Sequence, residues 1–307
     1  MRVAVTGATG VIGRHAIDAM LQRGDEVIAL TRDPDQARDK LRGRVDAQAW
    51  TDPKHAPPPS DALEQADAIL HLLGEPIAQR WSDDAKREIR DSRVLTTRAL
   101  VAAIAALPDE RRPRVLVSQS ATGYYGPRGD EPVDETASSG NDFLAGVTVE
   151  WEREAGQATS AGVRVATTRT GVVLSSQGGA LEKMLPPFKL GVGGPVAGGK
   201  QYVPWIHLDD VVGGMLQCLD DDRATGPVNL TAPNPVTNAE LSKTLGRVLH
   251  RPAVLPVPGL ALKALYGEMA TIVLTGQRAV PARLGELGYQ FRHPGLEAAL
   301  RDVLSGS

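Results

Sequence analysis

The beginning of the chain alternates between short apolar runs and one amphipathic stretch. The β-branched run Arg2–Thr6 is typical of a strand, and glycines follow it at once. Apolar residues then recur at helical spacing over residues 14–24, and residues 26–30 form a second apolar run. A strand, a glycine turn, a helix and a further strand predict a βαβ unit with a parallel sheet.

The same alternation continues to about residue 170, interrupted by a proline-rich loop at residues 55–60. Strands alternating with helices in this way favour an α/β fold. The predicted strands span residues 45–50, 68–73, 114–118 and 163–168, and the predicted helices span 82–106 and 142–158.

After residue 170 the pattern changes. Residues 190–200 are rich in glycine, which predicts a mobile loop or lid. Thr237 and Glu240 form a capping box that begins a helix towards Leu249. From Arg251 onward the chain is apolar and interrupted by prolines, and it ends in an amphipathic piece at residues 296–304. A length of 307 residues allows two domains, or one large fold with an added lobe.

Composition argues against several classes of partner. The net charge is -3 and the basic residues are scattered, so no global field favours nucleic acid or an anionic membrane. Aromatic residues make up 4%, too few to suggest a stacking surface for single strands. No apolar run approaches the roughly 20 residues of a spanning helix. Glycines interrupt the first ten residues, so no signal peptide is expected and a cytoplasmic location is predicted.

The chain contains a single cysteine, Cys218. One cysteine excludes an internal disulfide and any cysteine-rich zinc site. Its apolar surroundings predict a buried helix face. No metal site is predicted from the sequence.

Glycines at positions 7, 10 and 13 lie between the first strand and the first helix. In such a turn Gly7 permits the sharp bend, Gly10 lets the backbone approach a pyrophosphate, and Gly13 lets helix and sheet pack closely. The helix N-terminus adds unpaired N–H groups and a favourable dipole. The pattern predicts a dinucleotide cofactor.

The residues after the second predicted strand refine the cofactor. NAD sites usually carry an acidic residue there that binds the ribose 2′-hydroxyl, whereas this chain has Thr31 and Arg32. A guanidinium cannot accept from a hydroxyl, but it can clamp a 2′-phosphate. NADP(H) is therefore favoured over NAD(H). NAD(H) remains an alternative cofactor because of Asp33, since a small loop shift could bring its carboxylate to the ribose.

With these motifs in place, the chain resembles an extended short-chain dehydrogenase/reductase. Its second half resembles the atypical, YfcH-like group of the NAD-dependent epimerase/dehydratase family, which carries a C-terminal domain of unknown function. The segments that carry the resemblance are TGATGVIG at 6–13, HLLGEPI at 71–77, SATGYYG at 120–126, RTGVVL at 169–174, PWIHLDDVV at 204–212 and the tail at 256–284.

The resemblance implies a Rossmann-type doubly wound parallel sheet with a smaller α/β C-terminal lobe. Residues 1–170 would form the NADP(H)-binding core, with 200–235 returning to it. Residues 171–250 would supply the substrate side and a lid, and 251–307 a short family-specific domain.

The resemblance also implies which residues hold the cofactor. From the residues alone, a solvated helix position is the favoured explanation for Arg93. The implied cofactor-binding residues are Gly7, Thr9, Gly10, Val11 and Ile12 for the pyrophosphate, Thr31 and Arg32 for the 2′-phosphate, and Leu72, Gly74, Glu75 and Arg93 on the ribose and nicotinamide side.

The catalytic motif departs from the family pattern. Extended reductases use Ser, Tyr and Lys, in which Tyr exchanges a proton and Ser binds the same substrate oxygen. Ser120 matches the serine, but Phe143 and Val147 stand where Tyr and Lys belong. The Tyr–Lys dyad is therefore absent, and Ser120 and Tyr125 are the candidate catalytic residues. Glu150 and Glu152 are expected on a solvated helix face.

Two functions remain open. The first is an NADP(H)-dependent oxidoreductase or epimerase (an isomerase) that acts on an unknown small-molecule substrate through a non-standard active site. The alternative is a catalytically silent NADPH-binding sensor or interaction protein. Neither a nucleic acid nor a membrane partner is expected, and the chain is predicted to be a monomer or a homodimer.

Overall fold

A parallel sheet of seven strands lies at the centre of the computed structural model, which describes residues 1–305. The strands are, in chain order, β1 (Arg2–Thr6), β2 (Glu26–Thr31), β3 (Asp46–Ala49), β4 (Ala68–His71), β5 (Val115–Ala121), β6 (Pro132–Val133), β7 (Arg164–Thr170), β8 (Val172–Leu174), β9 (Tyr202–Val203), β10 (Trp205–His207), β11 (Gly226–Leu230), β12 (Val236–Thr237) and β13 (Arg278–Ala279). The order across the large sheet is β11-β7-β5-β4-β1-β2-β3, and the other strands form short two-stranded pairs.

Helices cover both faces of this sheet. They are α1 (Val11–Gln22), α2 (Pro34–Lys40), α3 (Ser60–Glu64), α4 (Asp83–Ala106), α5 (Phe143–Gly156), α6 (Gly179–Lys189), α7 (Leu208–Asp220), α8 (Asn238–Val248), α9 (Gly259–Tyr266), α10 (Thr271–Leu274), α11 (Ala282–Glu286) and α12 (Leu296–Ser305). Because side chains alternate along a strand, Val3 and Val5 join the core shared with α1 and α7, while Ala4 joins the core shared with α4 and α5. The predicted doubly wound α/β sheet is confirmed.

The predicted elements before residue 170 are all present, with shifted ends. Helix α1 begins at Val11, directly after the glycine turn, and β4 ends at His71. Strands β5 and β7 are longer than predicted, because their pairing continues to Ala121 and Thr170. The local hydrophobic pattern of the sequence indicates where a strand passes through the core. The residue at which the strand ends depends instead on how far the neighbouring strand continues to pair with it.

The C-terminal part has a core of its own, which includes Leu181, Leu241 and Leu300. The glycine-rich segment 190–200 contains no helix or strand, but it is tied to the C-terminal chain. The amide of Ala197 donates to the carbonyl of Val257 at 3.0 Å, and the amide of Val257 donates to that of Pro195 at 2.9 Å. Mobility of this segment stays a prediction, and so do the domain boundaries.

Cys218 is fully buried, as predicted, and burial raises the pKa of its thiol to about 12. Within residues 1–305, no helix combines the length and hydropathy needed to cross a lipid bilayer. The cytoplasmic location and the oligomeric state stay predictions.

Candidate functional site

The glycine turn after β1 is built around two crowded glycines and one open glycine. Gly7 has φ +66°, and a Cβ on it would lie 2.7 Å from the carbonyl oxygen of Leu72. A Cβ on Gly13 would lie 2.3 Å from the carbonyl oxygen of Gly7. Gly10 is exposed, and a Cβ there would meet only that same oxygen, at 3.3 Å. Packing therefore requires glycine at positions 7 and 13, while the bare face of Gly10 points outward.

Helix α1 begins at this turn without a side-chain cap. Its N-cap residue is Gly10, and its first turn contains no acidic side chain. The N–H groups of the first turn of a helix have no intrahelical partner, and the helix dipole makes this end positive. The turn therefore offers the backbone donors and the bare surface that a pyrophosphate needs.

The end of β2 resolves the choice between Arg32 and Asp33. The Asp33 carboxylate caps α2 by accepting a hydrogen bond from the Gln36 amide at 3.0 Å. The Thr31 hydroxyl accepts from the Asp33 amide at 3.3 Å. Arg32 is exposed, and within residues 1–305 its side chain has no hydrogen bond or ion pair. The carboxylate is engaged by the backbone, and the guanidinium is available to an anion.

Arg93 lies beneath the turn that follows β4. Its guanidinium donates to the carbonyl oxygens of Ile89 at 2.9 Å and Glu75 at 3.0 Å. A Cβ on Gly74 would lie 3.1 Å from its Cζ. Burial lowers the pKa of Arg93 to about 10. Arg93 is thus packed under the Gly74–Glu75 backbone and does not lie on a solvated helix face.

A buried histidine that the sequence analysis missed connects β1, β4 and α4 below the glycine turn. The Thr97 hydroxyl donates to the Arg93 carbonyl at 2.6 Å, so it accepts from Nε2 of His71 at 3.0 Å. Nδ1 of His71 then accepts from the Thr6 hydroxyl at 2.8 Å. Burial lowers the pKa of His71 to about 3. A histidine inside an apolar strand was the available signal, because a buried ring needs two polar partners.

This histidine predicts a loss of stability in acid. The pKa of His71 is about 3 in the folded protein against an ordinary histidine pKa of 6.5, so the unfolded chain takes up the proton first. The contribution of His71 is complete above pH 6.5 and falls as the pH drops towards 3. We expect the free energy of unfolding to fall by about 2 kcal/mol between about pH 6.5 and 5 on this account. Urea unfolding of wild type and His71→Gln across that interval measures the difference.

His55→Ala, at an exposed histidine, is the control substitution measured over the same interval. Equal pH dependence in wild type and His71→Gln would contradict the prediction.

Ser120 lies at the end of β5 and takes part in a buried ionic network. It is 1% exposed, and its hydroxyl donates to Oε1 of Glu152 at 2.6 Å. Both oxygens of Glu152 accept from the guanidinium of Arg169 at 2.8 Å. The Cζ of Arg169 lies 3.4 Å from the ring centroid of Tyr124. The expectation of a solvated Glu152 is wrong, because an arginine inside a buried strand needs a carboxylate partner.

Tyr125 belongs to the same network. It is fully buried, and its hydroxyl donates to Oδ1 of Asn229 at 2.7 Å while accepting from Arg169 at 3.1 Å. Burial raises the pKa of Tyr125 to about 12. In this geometry the phenol keeps its proton and is directed at Asn229. The catalytic roles of Ser120 and Tyr125 stay predictions.

The start of α5 carries hydrocarbon side chains at positions 143, 144 and 147. The ring of Phe143 packs edge-on against Trp81 with centroids 5.2 Å apart. Leu144 lies beside the loop after Ser120, since a Cβ placed on Gly123 would be 3.6 Å from the Cβ of Leu144. Val147 is buried. None of the side chains at positions 143, 144 and 147 can transfer a proton.

The C-terminal part of the chain contacts the loops at this edge of the sheet. Nε2 of Gln277 donates to the carbonyl of Thr122 at 2.8 Å, directly after β5. The ammonium of Lys86 pairs with Glu268 at 2.5 Å and lies 5.2 Å from the centroid of the Phe143 ring. Lys183, on α6, donates to the carbonyl of Ala78 at 2.9 Å. Hydrogen bonds from Lys183 and Gln277 therefore tie the loops after β4 and β5 to the C-terminal part of the chain.

Comparison with known proteins gives matches over almost the whole chain. The model of the NAD dependent epimerase/dehydratase family matches residues 3–230, and that of a domain of unknown function, DUF1731, matches residues 257–303.

Individual relatives match at similar length. The chloroplastic homologue of epimerase family protein SDR39U1 from Arabidopsis thaliana is 41% identical over 311 residues, covering 99% of this chain and 87% of that protein. An epimerase family protein of Mycobacterium bovis is 40% identical over 301 residues, covering 97% of this chain and 96% of that protein. The crystal structure of human epimerase family protein SDR39U1 with NADPH superposes with a TM-score of 0.87 at 33% identity, covering 100% of both chains.

Proposed function

The chain belongs to the NAD dependent epimerase/dehydratase family, and we propose that it binds NADP(H) and uses it as an oxidoreductase or epimerase on a small molecule. The resemblance to this family and to its C-terminal domain is confirmed. The observation that carries the cofactor proposal is the exposed guanidinium of Arg32 beside an Asp33 carboxylate that is engaged as a helix cap. The human protein of known structure, at 33% identity, was crystallised with NADPH.

The residues at the sheet edge fit a dinucleotide. Gly10 leaves open the surface over the uncapped N-terminus of α1, where the pyrophosphate would lie. Arg93 would place a positive charge beneath the backbone that lines the nicotinamide side. When bound, NADP(H) supplies or accepts a hydride. The residues proposed to bind it are Gly7, Thr9, Gly10, Val11, Ile12, Thr31, Arg32, Leu72, Gly74, Glu75 and Arg93.

Turnover in this site would not use the dyad of ordinary reductases. The hydrocarbon side chains of Phe143, Leu144 and Val147 exclude water from the start of α5 without supplying a proton. For Ser120 to donate a hydrogen bond to a substrate oxygen, its hydroxyl would have to give up the hydrogen bond that it donates to Glu152. We propose that Ser120 acts on ligand affinity more than on rate, which Ser120→Ala measures directly.

One observation favours a second candidate, an NADPH-binding sensor or interaction protein without turnover. The hydroxyls of Ser120 and Tyr125 are both bound by partners inside the protein. Loss of absorbance at the NADPH band with a panel of small carbonyl and sugar substrates, and hydride exchange into the bound nicotinamide, distinguish the two candidates. Turnover or exchange supports the enzyme, and tight NADPH binding without either supports the sensor. Failure to bind either dinucleotide would contradict both.

The cofactor preference gives a quantitative prediction. We expect NADPH to bind at least about tenfold more tightly than NADH, and Arg32→Ala to weaken NADPH by about 1–3 kcal/mol, the scale of a charged hydrogen bond. NADH binding should stay nearly unchanged, because it lacks the 2′-phosphate. Fluorescence titration of both dinucleotides measures this.

Arg114 offers the matched control. It is an exposed arginine that precedes β5, at the opposite edge of the sheet, so Arg114→Ala should bind both dinucleotides like wild type. Equal affinities of wild type for NADPH and NADH would end the proposal of NADP(H) specificity.

A further inference from the structure

Three histidines and two aspartates meet where α1, the start of α7 and the C-terminal lobe come together. His15 lies on α1, His207 ends β10 and Asp209 lies in the first turn of α7. His293 precedes α12, and Asp302 lies on α12. None of these five residues is among the proposed cofactor-binding residues, and nothing in the proposed reaction uses them.

The side chain of Asp209 is at the centre of this cluster. Its Oδ1 lies 2.6 Å from Nε2 of His15. Its Oδ2 lies 3.4 Å from Nε2 of His293 and 3.9 Å from Nδ1 of His207. One possible ligand atom from each of His207, Asp209 and His293 falls within 4.8 Å of the other two. Ligands bonded at about 2.0 Å in a tetrahedral zinc site lie about 3.3 Å apart. The Asp209–His293 spacing of 3.4 Å already matches this value, and the His207–Asp209 spacing of 3.9 Å requires a small inward shift of the side chains.

The hydrogen bonds of His207 fix which nitrogen carries a lone pair. Nδ1 accepts from the amide of Asp209 at 3.1 Å, so the ring proton is on Nε2, which lies 3.1 Å from Oδ2 of Asp302. Histidine ligands of metals commonly donate their second N–H to a carboxylate in this way. A cation at Nδ1 would take the place of the Asp209 amide hydrogen, so binding would replace the hydrogen bond that caps α7.

The backbone at His293 is held in place by Asp210. Its carboxylate accepts from the amides of Arg292 at 2.8 Å and His293 at 2.9 Å, and from the Tyr289 hydroxyl at 3.0 Å. The ring of His293 stacks on that of His207 with centroids 3.7 Å apart. Directing both lone pairs at one cation requires the His293 ring to rotate about its side-chain torsions, with the anchored backbone unchanged.

We propose that this cluster binds a divalent transition-metal cation, with zinc as the best match to a set of two imidazoles and one carboxylate. The ligands are Nδ1 of His207, Oδ2 of Asp209 and Nε2 of His293. His15 orients Asp209 through its other oxygen, and Asp302 orients His207. The cation joins the C-terminal lobe to the start of α7, so its binding stabilises the attachment of the lobe.

Zinc titration of the chelator-treated, full-length protein by calorimetry tests this proposal. We expect one equivalent to bind, and His293→Ala and Asp209→Asn to weaken its affinity roughly tenfold or more. His55→Ala is the matched control, because His55 also pairs with an aspartate, Asp52, but lies on the exposed surface. Zinc should raise the Tm of wild type and of His55→Ala, and it should not raise that of His293→Ala.

The ligand atoms have a direct spectroscopic readout. Cu²⁺ bound in place of zinc can be examined by electron paramagnetic resonance. Its spectrum should show hyperfine coupling to two imidazole nitrogens in wild type and to one in His293→Ala. Asp302→Asn removes the orienting charge while keeping the hydrogen bond, so it gives a milder variant if His293→Ala does not fold. Absence of one-equivalent zinc binding, equal affinity in His293→Ala or in the folded Asp302→Asn, or an equal loss in His55→Ala would each overturn the proposal.

Discussion

Replacing Gly10 by valine should abolish NADPH binding and leave the fold intact. Gly10 has φ −71° and ψ 171°, which any residue adopts, and a Cβ there meets only the Gly7 carbonyl at 3.3 Å. The branched side chain would cover the N-terminus of α1, where the pyrophosphate has to approach the backbone. We expect affinity to fall by about a hundredfold or more, which corresponds to about 2.7 kcal/mol. Fluorescence titration together with circular dichroism measures both consequences.

Gly13→Val is the contrasting variant. A Cβ at this position lies 2.3 Å from the Gly7 carbonyl oxygen and 2.9 Å from Cα of Ala8, so the helix cannot keep its place against β1. Gly13→Val should lower the Tm sharply, whereas Gly10→Val should not. Unfolding of Gly10→Val would show that this glycine is structural, and normal NADPH binding by a folded Gly10→Val would place the cofactor elsewhere.

Removing the charge of Arg169 should destabilise the fold by about 3 kcal/mol, the lower end of the range for breaking a buried ion pair. Arg169 is 3% exposed and bonds both oxygens of Glu152. Burial alone would lower the pKa of Arg169, but the hydrogen bonds and charge of Glu152 raise it. Arg169→Met fills similar space and leaves the Glu152 carboxylate with the Ser120 hydroxyl as its remaining partner. Urea unfolding measures the loss.

The pair Arg98 on α4 and Glu154 on α5 provides the control, because Glu154 lies on the same helix as Glu152. It has the same two-bond geometry, at 3.1 and 3.0 Å, but Arg98 is exposed. Arg98→Met should therefore cost less than about 1 kcal/mol. The double variant Arg169→Met with Glu152→Gln should be less destabilised than the two single losses added together, because no uncompensated charge remains. An Arg169→Met variant no less stable than Arg98→Met would contradict the prediction.

Much of the fold could be predicted because its signals are local. Ser82, Asp142 and Thr237 each accept from the amide three residues ahead, so each helix start depends on a few adjacent residues. The glycine turn is equally local. The spacing of its three glycines alone predicts a bend at Gly7, an open surface at Gly10 and a close contact between helix and strand at Gly13. The same reasoning about residues 31–33 pointed to a 2′-phosphate, and the structure adds that the Asp33 carboxylate is already engaged.

The surroundings of Ser120 at the end of β5 were predicted less well, since the sequence places a side chain on a strand without specifying its neighbour. Ser120 is at the predicted position, but its hydroxyl bonds to Glu152, which had been expected in solvent. Helix α5 (Phe143–Gly156) contains neither a tyrosine nor a lysine, and Leu144 lies beside the loop that follows Ser120.

The sequence by itself determined the α/β class, the parallel βαβ start, the helix caps and the glycine turn, because these depend on interactions within a few residues. Only the tertiary structure decided the partners of buried polar groups. His71 meets Thr6 and Thr97, Glu152 meets Arg169, and His15, Asp209 and His293 meet across most of the chain. The physical reason is that burial requires a polar group to be paired but does not specify with which residue, so the partner is set by how distant segments pack.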